Sequence, residues 1–208
     1  MSQQLPKILK LGIDKLNLSV TDDIQQQLLQ YIELLHKWNK VYNLTSVRDK
    51  SLMVSVHLLD SLAIVPFITG HKVIDVGTGA GLPGVVLAMC LPSTHFVLID
   101  SNSKKTRFIN QVVTEIGIKN VLVEHCRVES FECETSFDQI VSRAYTSLQA
   151  FIESTCQLAG KNTEYLAMKG QLPDTEIEEI AASHTVKPVT LAVPNIEGQR
   201  HLIIVTSK

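Results

Sequence analysis

Cysteine is sparse in this sequence and badly spaced for chemistry. Cys90, Cys126, Cys133 and Cys156 are the only four in 208 residues, and no two stand at CxxC spacing. That excludes a disulfide framework and the common zinc and redox motifs, and it predicts reduced structural thiols with no metal. Long apolar runs are missing too. No uninterrupted stretch approaches the roughly 20 apolar residues a bilayer-spanning helix needs. The opening MSQQLPKILK lacks the apolar core, roughly 7–15 residues long, of a secretory signal. These absences predict a cytoplasmic protein with no membrane partner. Nor is one sign of charge in excess. The 19 basic and 21 acidic side chains leave a net charge of −2 and a pI of about 6.4. Charge alone therefore announces no nucleic-acid binder, and any such contact must use local patches. Residues 1–70 carry seven basic and six acidic side chains, and residues 71–208 carry twelve and fifteen, so the asymmetry is mild.

What is present suits one medium domain with a small extension. Apolar residues make up 45% of the chain, enough for a real core. The first 66 or so residues read as helices. Ile24, Leu28, Tyr31, Leu35 and Trp38 recur at three- and four-residue steps, the stripe of an amphipathic helix. Thr21 is placed to cap it, and Asp22 and Asp23 suit the positive end of its dipole. A second helix is predicted from about Lys50 to Val65, stopping at Pro66. From His71 the texture changes to short β-branched runs alternating with helical segments: KVIDVG, HFVLID, NVLVEH, FDQIVS and TEYLAMKG. That alternation predicts a doubly wound, mainly parallel sheet. The tail differs, because VKPVTLAVP and RHLIIVTS are separated only by NIEGQ. So short a connection forces an antiparallel pair. The expected division is a helical extension over 1–70 and a Rossmann-like α/β domain over 71–208.

The richest segment is VIDVGTGAGLPG, residues 73–84. A buried strand runs into Gly77, Gly79 and Gly81 and then a helix whose first turn holds Pro83, where a missing N–H costs nothing. Glycines there permit positive φ and let a ligand lie against the backbone. Gly79, Gly81 and Gly84 formally satisfy GxGxxG, the dinucleotide fingerprint. With the strand ending at Val76, however, the turn counts from Gly77, and the third glycine position falls on Leu82. The alternative, Asp-x-Gly-x-Gly-x-Gly, is similar to the first motif of S-adenosyl-L-methionine-dependent methyltransferases. Asp75 either receives that cofactor's ammonium, directly or through water, or holds the turn. Asp100 ends the next strand, where a carboxylate accepts both ribose hydroxyls; the alternative is a helix cap before Ser103. The RVESF loop, residues 127–131, lies where this fold frames an adenine, which raises Glu129 above an ordinary surface acid.

At this point the chain resembles a known family over nearly its whole length: the ribosomal RNA small subunit methyltransferase G family, also called glucose-inhibited division protein B. The resemblance rests on LLHKWNKVYNLTSVRD (34–49), HLLDSL (57–62), IDVGTGAGLPG (74–84), FVLIDS with KK and RF following (96–108), RVESF (127–131), FDQIVSRA (137–144), LAMKGQ (166–171) and GQRHLIIV (198–205). It implies a seven-stranded, mainly parallel sheet with an antiparallel last strand. It also implies methyl transfer from S-adenosyl-L-methionine to N7 of guanine 527 in 16S rRNA of the small ribosomal subunit. By the family's pattern the cofactor contacts fall on Gly77, Leu82, Val128, Glu129 and Arg143, to which the turn and strand-end arguments add Gly79 and Asp100. A monomer is expected.

Guanine N7 carries an in-plane lone pair and no proton, so no catalytic base is expected. The work is alignment and tolerance of developing positive charge. The turn after the fourth strand is Ser142-Arg143-Ala144-Tyr145, not the Asp/Asn-Pro-Pro-aromatic turn of amino-group methylases. No cysteine follows a proline, as cytosine-C5 chemistry requires. Arg143 is a candidate for the methionine carboxylate, for substrate positioning or for a structural ion pair. Lys169 is a candidate for an RNA phosphate or guanine O6, or is simply solvated. His57, Asp60 and Ser61 share a helix face and read as a polar network holding the extension, not as a hydrolase relay. Lys104, Lys105 and Arg107 form the best local basic patch, or a solvated helix face. A nicotinamide-dependent oxidoreductase and a non-catalytic ribosome-assembly module are the alternatives.

Overall fold

The computed structural model describes residues 4–208. Two helices come first, α1 (Gln4–Lys15) and α2 (Asp22–Tyr42). The cap falls at the predicted residue: Thr21 Oγ1 accepts the Ile24 N–H at 3.4 Å. The predicted stripe faces inward, with Leu28, Tyr31 and Leu35 fully buried. Asn43 closes α2 in the left-handed conformation, which asparagine tolerates. The second predicted helix is corrected in two respects. It starts at Lys50, capped by Asp49 Oδ1 on the Leu52 N–H. It then passes from α3 (Lys50–Met53) through a wider π turn (Val54–Leu59) into α4 (Asp60–Leu62). It ends at Leu62, and Pro66 sits inside a separate 3₁₀ turn, Val65–Phe67. There Pro66 has no N–H to lose, while Phe67 and Ile68 donate back to Ile64 and Val65. Residues 50–67 are apolar and long enough to cross a membrane by composition alone, but 61% of that segment is buried inside the protein.

The sheet has the order β3-β2-β1-β4-β5-β7-β6. Its strands are β1 (Lys72–Val76), β2 (His95–Ile99), β3 (Val121–Glu124), β4 (Phe137–Arg143), β5 (Ala159–Lys169), β6 (His184–Thr190) and β7 (His201–Ser207). Neighbours from β3 to β5 pair parallel. Both pairings of β7 are antiparallel, as the short connection required. β6 stops at Thr190, short of the predicted Pro194, because the loop to β7 holds Asn195 and Gly198 at positive φ. Pro188 is tolerated in β6 because that strand is the sheet edge. The helices between strands are α5 (Gly84–Cys90), α6 (Ser103–Ile116), α7 (Leu148–Thr155) and α8 (Asp174–Ile180).

One face of the sheet and the N-terminal helices share a single core. Leu9, Leu28, Tyr31 and Leu58 belong to the same apolar cluster as Val85, Phe108 and Val141. A second cluster on the other face gathers Ile74, Phe137, Phe151 and Ile203. The connection into β1 is stitched down by the buried Gln139, which accepts the Thr69 and Gly70 N–H groups and donates to Phe67 O. The ends of the strands are thereby held in register with the helices that overhang them.

Candidate functional site

The glycine turn hangs from the end of β1, which stops at Val76 as the register argument required. Gly77, Gly79 and Gly81 have φ of +67°, +64° and +89°, a region costing an L-residue roughly 1–2 kcal/mol. A Cβ on Gly77 would meet nothing within 4 Å, whereas one on Gly84 would come 2.2 Å from Leu98. The first glycine leaves open space for a ligand and Gly84 permits close packing. Pro83 lies just before α5 and not within its first turn, a correction of one residue.

Asp75 is 1% exposed, and its Oδ2 accepts Thr78 Oγ1–H at 2.6 Å and the Gly84 N–H at 2.8 Å. It thus caps α5 and braces the turn, while its buried Oδ1 has no hydrogen-bond partner among the described residues. Burial pushes its carboxyl up to about 6, against the pull of those two hydrogen bonds. On the far side, Tyr31 of α2 donates its hydroxyl proton to Ala80 O at 2.9 Å.

Beside the turn a crevice of about 280 Å³ opens at the carboxyl ends of β1, β2 and β3. Gly77, Asp100, Val128, Glu129 and Tyr145 are among the residues that line it. Asp100 is buried, accepting the Gly79 N–H at 2.9 Å on Oδ2 and the Asn102 N–H at 2.8 Å on Oδ1, with Lys105 Nζ at 3.4 Å. Asn102, not Asp100, caps α6, so the cap alternative for Asp100 fails. Val128 is buried and Glu129 exposed in the short turn Val128–Ser130. A nucleoside suits this set: an anchored carboxylate for its ribose, an apolar side chain and a second acid at the far wall. Gly79 contributes its backbone N–H to Asp100 and does not line the crevice, while Leu82 packs in the core beneath it.

Arg143 and Lys169 are brought together elsewhere, in a second cavity of about 510 Å³ at the ends of β4 and β5. Arg143 Nη1 donates to Val56 O at 3.1 Å and lies 3.3 Å from Asp60 Oδ2. Arg200 Nε is 3.2 Å from the other oxygen of Asp60. Lys169 pairs with Glu176 of α8 at 2.8 Å. His57 Nε2 meets Thr45 Oγ1 at 3.0 Å, and Ser61 donates to His57 O. His57, Asp60 and Ser61 therefore form no relay, and it is Asp60 that ties the extension to β4. Burial, then the Arg143 guanidinium, pushes His57 down to about 4. Ala144 is held at φ +63° on the cavity wall, strain of the kind that collects at functional sites. The two cavities share no lining residue, but Tyr145 on the wall of the first follows Arg143 and Ala144 on the wall of the second, and the ends of β1 and β4 are pinned by Ser142 Oγ–H to Val76 O at 2.8 Å.

The sequence assigns no site role to Tyr31, Thr78, Lys105, Arg200 or His201. Tyr31 reads there as one position of an apolar stripe and Lys105 as part of a basic patch, while Thr78, Arg200 and His201 only lie within longer motifs; the fold brings them to the site.

A family model described as rRNA small subunit methyltransferase G matches residues 24–203. A protein of that name from Marinobacter nauticus is 49% identical over 97% of this chain and 95% of its own. Another from Pseudomonas aeruginosa is 50% identical over 93% and 91%. Among solved structures, a putative O-methyltransferase from Klebsiella pneumoniae superposes with a TM-score of 0.64, covering 99% of this chain and 98% of that one at 12% identity. A ribosomal protein L11 methylase from Lactobacillus delbrueckii does so at 0.56 over 72% and 77%, at 16% identity. At such identities these two speak to the fold alone, which is the Rossmann-like methyltransferase fold.

Proposed function

The chain belongs to the rRNA small subunit methyltransferase G family, and on that premise we propose that it transfers the methyl group of S-adenosyl-L-methionine to N7 of guanine 527 in 16S ribosomal RNA. The observation that carries this reading is the presence of two cavities at the carboxyl ends of the strands. One presents Asp100 beside an unobstructed Gly77. The other is lined by Arg143, Lys169 and Arg200.

The crevice fits the cofactor, since a positive-φ glycine and a strand-end acid are what an adenosine needs against the backbone. Gly77, Asp100, Val128 and Glu129 would hold it, with Gly79 orienting Asp100 through its N–H. When bound, it supplies an electrophilic methyl group on a sulfonium. Leu82 supports the turn from below, and Arg143, on the wall of the second cavity, is read as a positioning residue. Lys169 is read as a substrate-positioning residue, its charge balanced by Glu176 until RNA arrives. Guanine N7 needs no proton removed, so the residues around the second cavity have only to align the base and tolerate its charge. The Asp60 carboxylate, bridged by both guanidiniums, holds Arg143 and Arg200 in place.

An oxidoreductase is disfavoured by the reversed β7, which the all-parallel dinucleotide fold lacks. Residues 1–70 are read as an extension completing the core of the catalytic domain over 71–208. The test is tritiated-methyl transfer to small subunits from a strain lacking the family's gene, followed by mapping of the labelled base. Label at guanine 527, lost as 7-methylguanine, supports the reading; label at another base, or none, overturns it.

A further inference from the structure

An overall acidic chain that is to dock on RNA must concentrate its cations. Lys104, Lys105 and Arg107 open α6, where Lys105 is drawn to Asp100, and a second cationic segment closes α2. Residues 37–50 hold four basic side chains and one acid. Lys50 pairs with Glu33. Arg48 is spent on the end of α2, donating to Asn39 O and Asn43 Oδ1. Lys37 and Lys40 are exposed and, among the described residues, make no ion pair. By contrast α8, beyond the second cavity, carries Asp174, Glu176, Glu178 and Glu179 in seven residues, which repels a polyanion from that side.

On another side of the same helix end an aromatic group is set as a platform. Tyr42 is 42% exposed. Its ring packs 5.2 Å from that of Trp38 at 34°, and Trp38 packs 5.7 Å from Phe108 of α6. The neighbouring Val41 is 70% exposed. The loop after α2 is locked to the same helix. Buried Asn39 accepts the Thr45 N–H and donates to Val47 O, and Thr45, Ser46 and Val47 line the second cavity beside Arg143 and Lys169. Platform and cavity wall are thus one rigid piece.

We propose that the exposed end of α2 is a docking surface for the unpaired RNA flanking the target base, with Tyr42 stacking one base and Lys37 and Lys40 holding phosphates. Such stacking is sequence-tolerant and rests on a fixed aromatic face, with the lysines on the other side of the helix end holding the backbone that runs past it. The assignment rests on the function proposed above.

The experiment uses the full chain and small subunits from the strain lacking the family's gene. It compares wild type with Tyr42→Ala, Tyr42→Leu, Tyr42→Phe and Lys40→Ala, measuring kcat, KM for subunits, and affinity for S-adenosylhomocysteine by calorimetry. Tyr42→Ala and Tyr42→Leu are expected to raise KM about five- to 150-fold, while Tyr42→Phe stays near wild type and cofactor affinity is unchanged throughout. Lys40→Ala is expected to lower the slope of log affinity against log salt by about one. An unchanged KM in Tyr42→Ala, or a KM restored by Tyr42→Leu, overturns the proposal. The latter would assign the patch to apolar packing against a ribosomal protein. If wild type is active and the variants equal it, only this surface falls; if wild type transfers no methyl to subunits, the proposed function falls and the surface with it.

Discussion

In the proposed reading, cofactor binding turns on Asp100 and Gly77, for opposite reasons. Asp100 is buried and held by two backbone N–H groups, so its carboxylate is preorganised to accept ribose hydroxyls. Asp100→Ala is expected to weaken S-adenosylhomocysteine binding by about 1.5–3 kcal/mol, roughly ten- to 150-fold. Calorimetry on the folded variant checks it; an unchanged dissociation constant would leave Asp100 a loop brace only. Gly77 acts by having no side chain. Because a Cβ there meets nothing in the protein, Gly77→Val is expected to project into the crevice and reduce affinity more than about 100-fold. The fold itself should lose only about 1–2 kcal/mol from the positive φ. Thermal unfolding beside the titration separates the two effects, and normal binding would place the cofactor elsewhere. Both residues were legible in the sequence, because strand-end acids and turn glycines sit at recurring positions. Leu82 was legible only through family resemblance, and it lies in the core and not on the crevice wall.

At the scale of elements, the join between α2 and the glycine turn is the informative one. Tyr31 falls on the apolar stripe of α2, and by periodicity it is one more core residue. It is indeed fully buried, yet its hydroxyl supports Ala80 O across 49 positions of sequence. Burial drives its pKa upward, so it remains a neutral donor. Tyr31→Phe leaves the Ala80 carbonyl unpartnered, at an expected cost of about 1–3 kcal/mol. Loosening of the turn should lower cofactor affinity as well. Urea unfolding with and without S-adenosylhomocysteine reads both; a loss of stability with no loss of affinity would confine Tyr31 to the core. The π turn over Val54–Leu59 is the element that periodicity missed. Its extra residue per turn re-aims α4, and the sequence there reads as ordinary helix because backbone pairing leaves no mark on composition.

For the molecule as a whole, two buried titrating groups act in opposite directions. Asp75 has a folded pKa raised to about 6 from an unfolded value near 3.9, so stability falls as pH rises through about 4–6. His57 is lowered to about 4 from an unfolded value near 6.5. Below about 4 it must charge inside the protein, and stability therefore rises with pH across about 4–6.5. Each contribution is about 3 kcal/mol, and Asp60, whose carboxyl burial also raises, adds to the falling side. His57→Gln is expected to lose the rising contribution, leaving a variant whose stability falls relative to wild type as pH goes from 4 to 6.5. Urea unfolding at half-unit steps tests this; a constant difference between the two proteins would show that His57 titrates normally.

The sequence by itself determined the class of fold, the reversed last strand, the end of β1 at Val76 and the acid at the end of β2. Each of these is local or nearly so: periodicity sets the elements, a connection of ten residues between β6 and β7 is too short for a parallel crossover, and glycine is demanded by a backbone angle. Tertiary structure alone decided how the polar residues divide. Asp75 became a brace, Arg143 joined Asp60 and Lys169 joined Glu176. Arg200 and His201 arrived at a cavity whose other wall begins at Thr45. Those outcomes depend on which buried charge comes within a few ångströms of which, and partners more than 80 positions apart, such as Asp60 and Arg143, meet only when the sheet closes under the N-terminal helices.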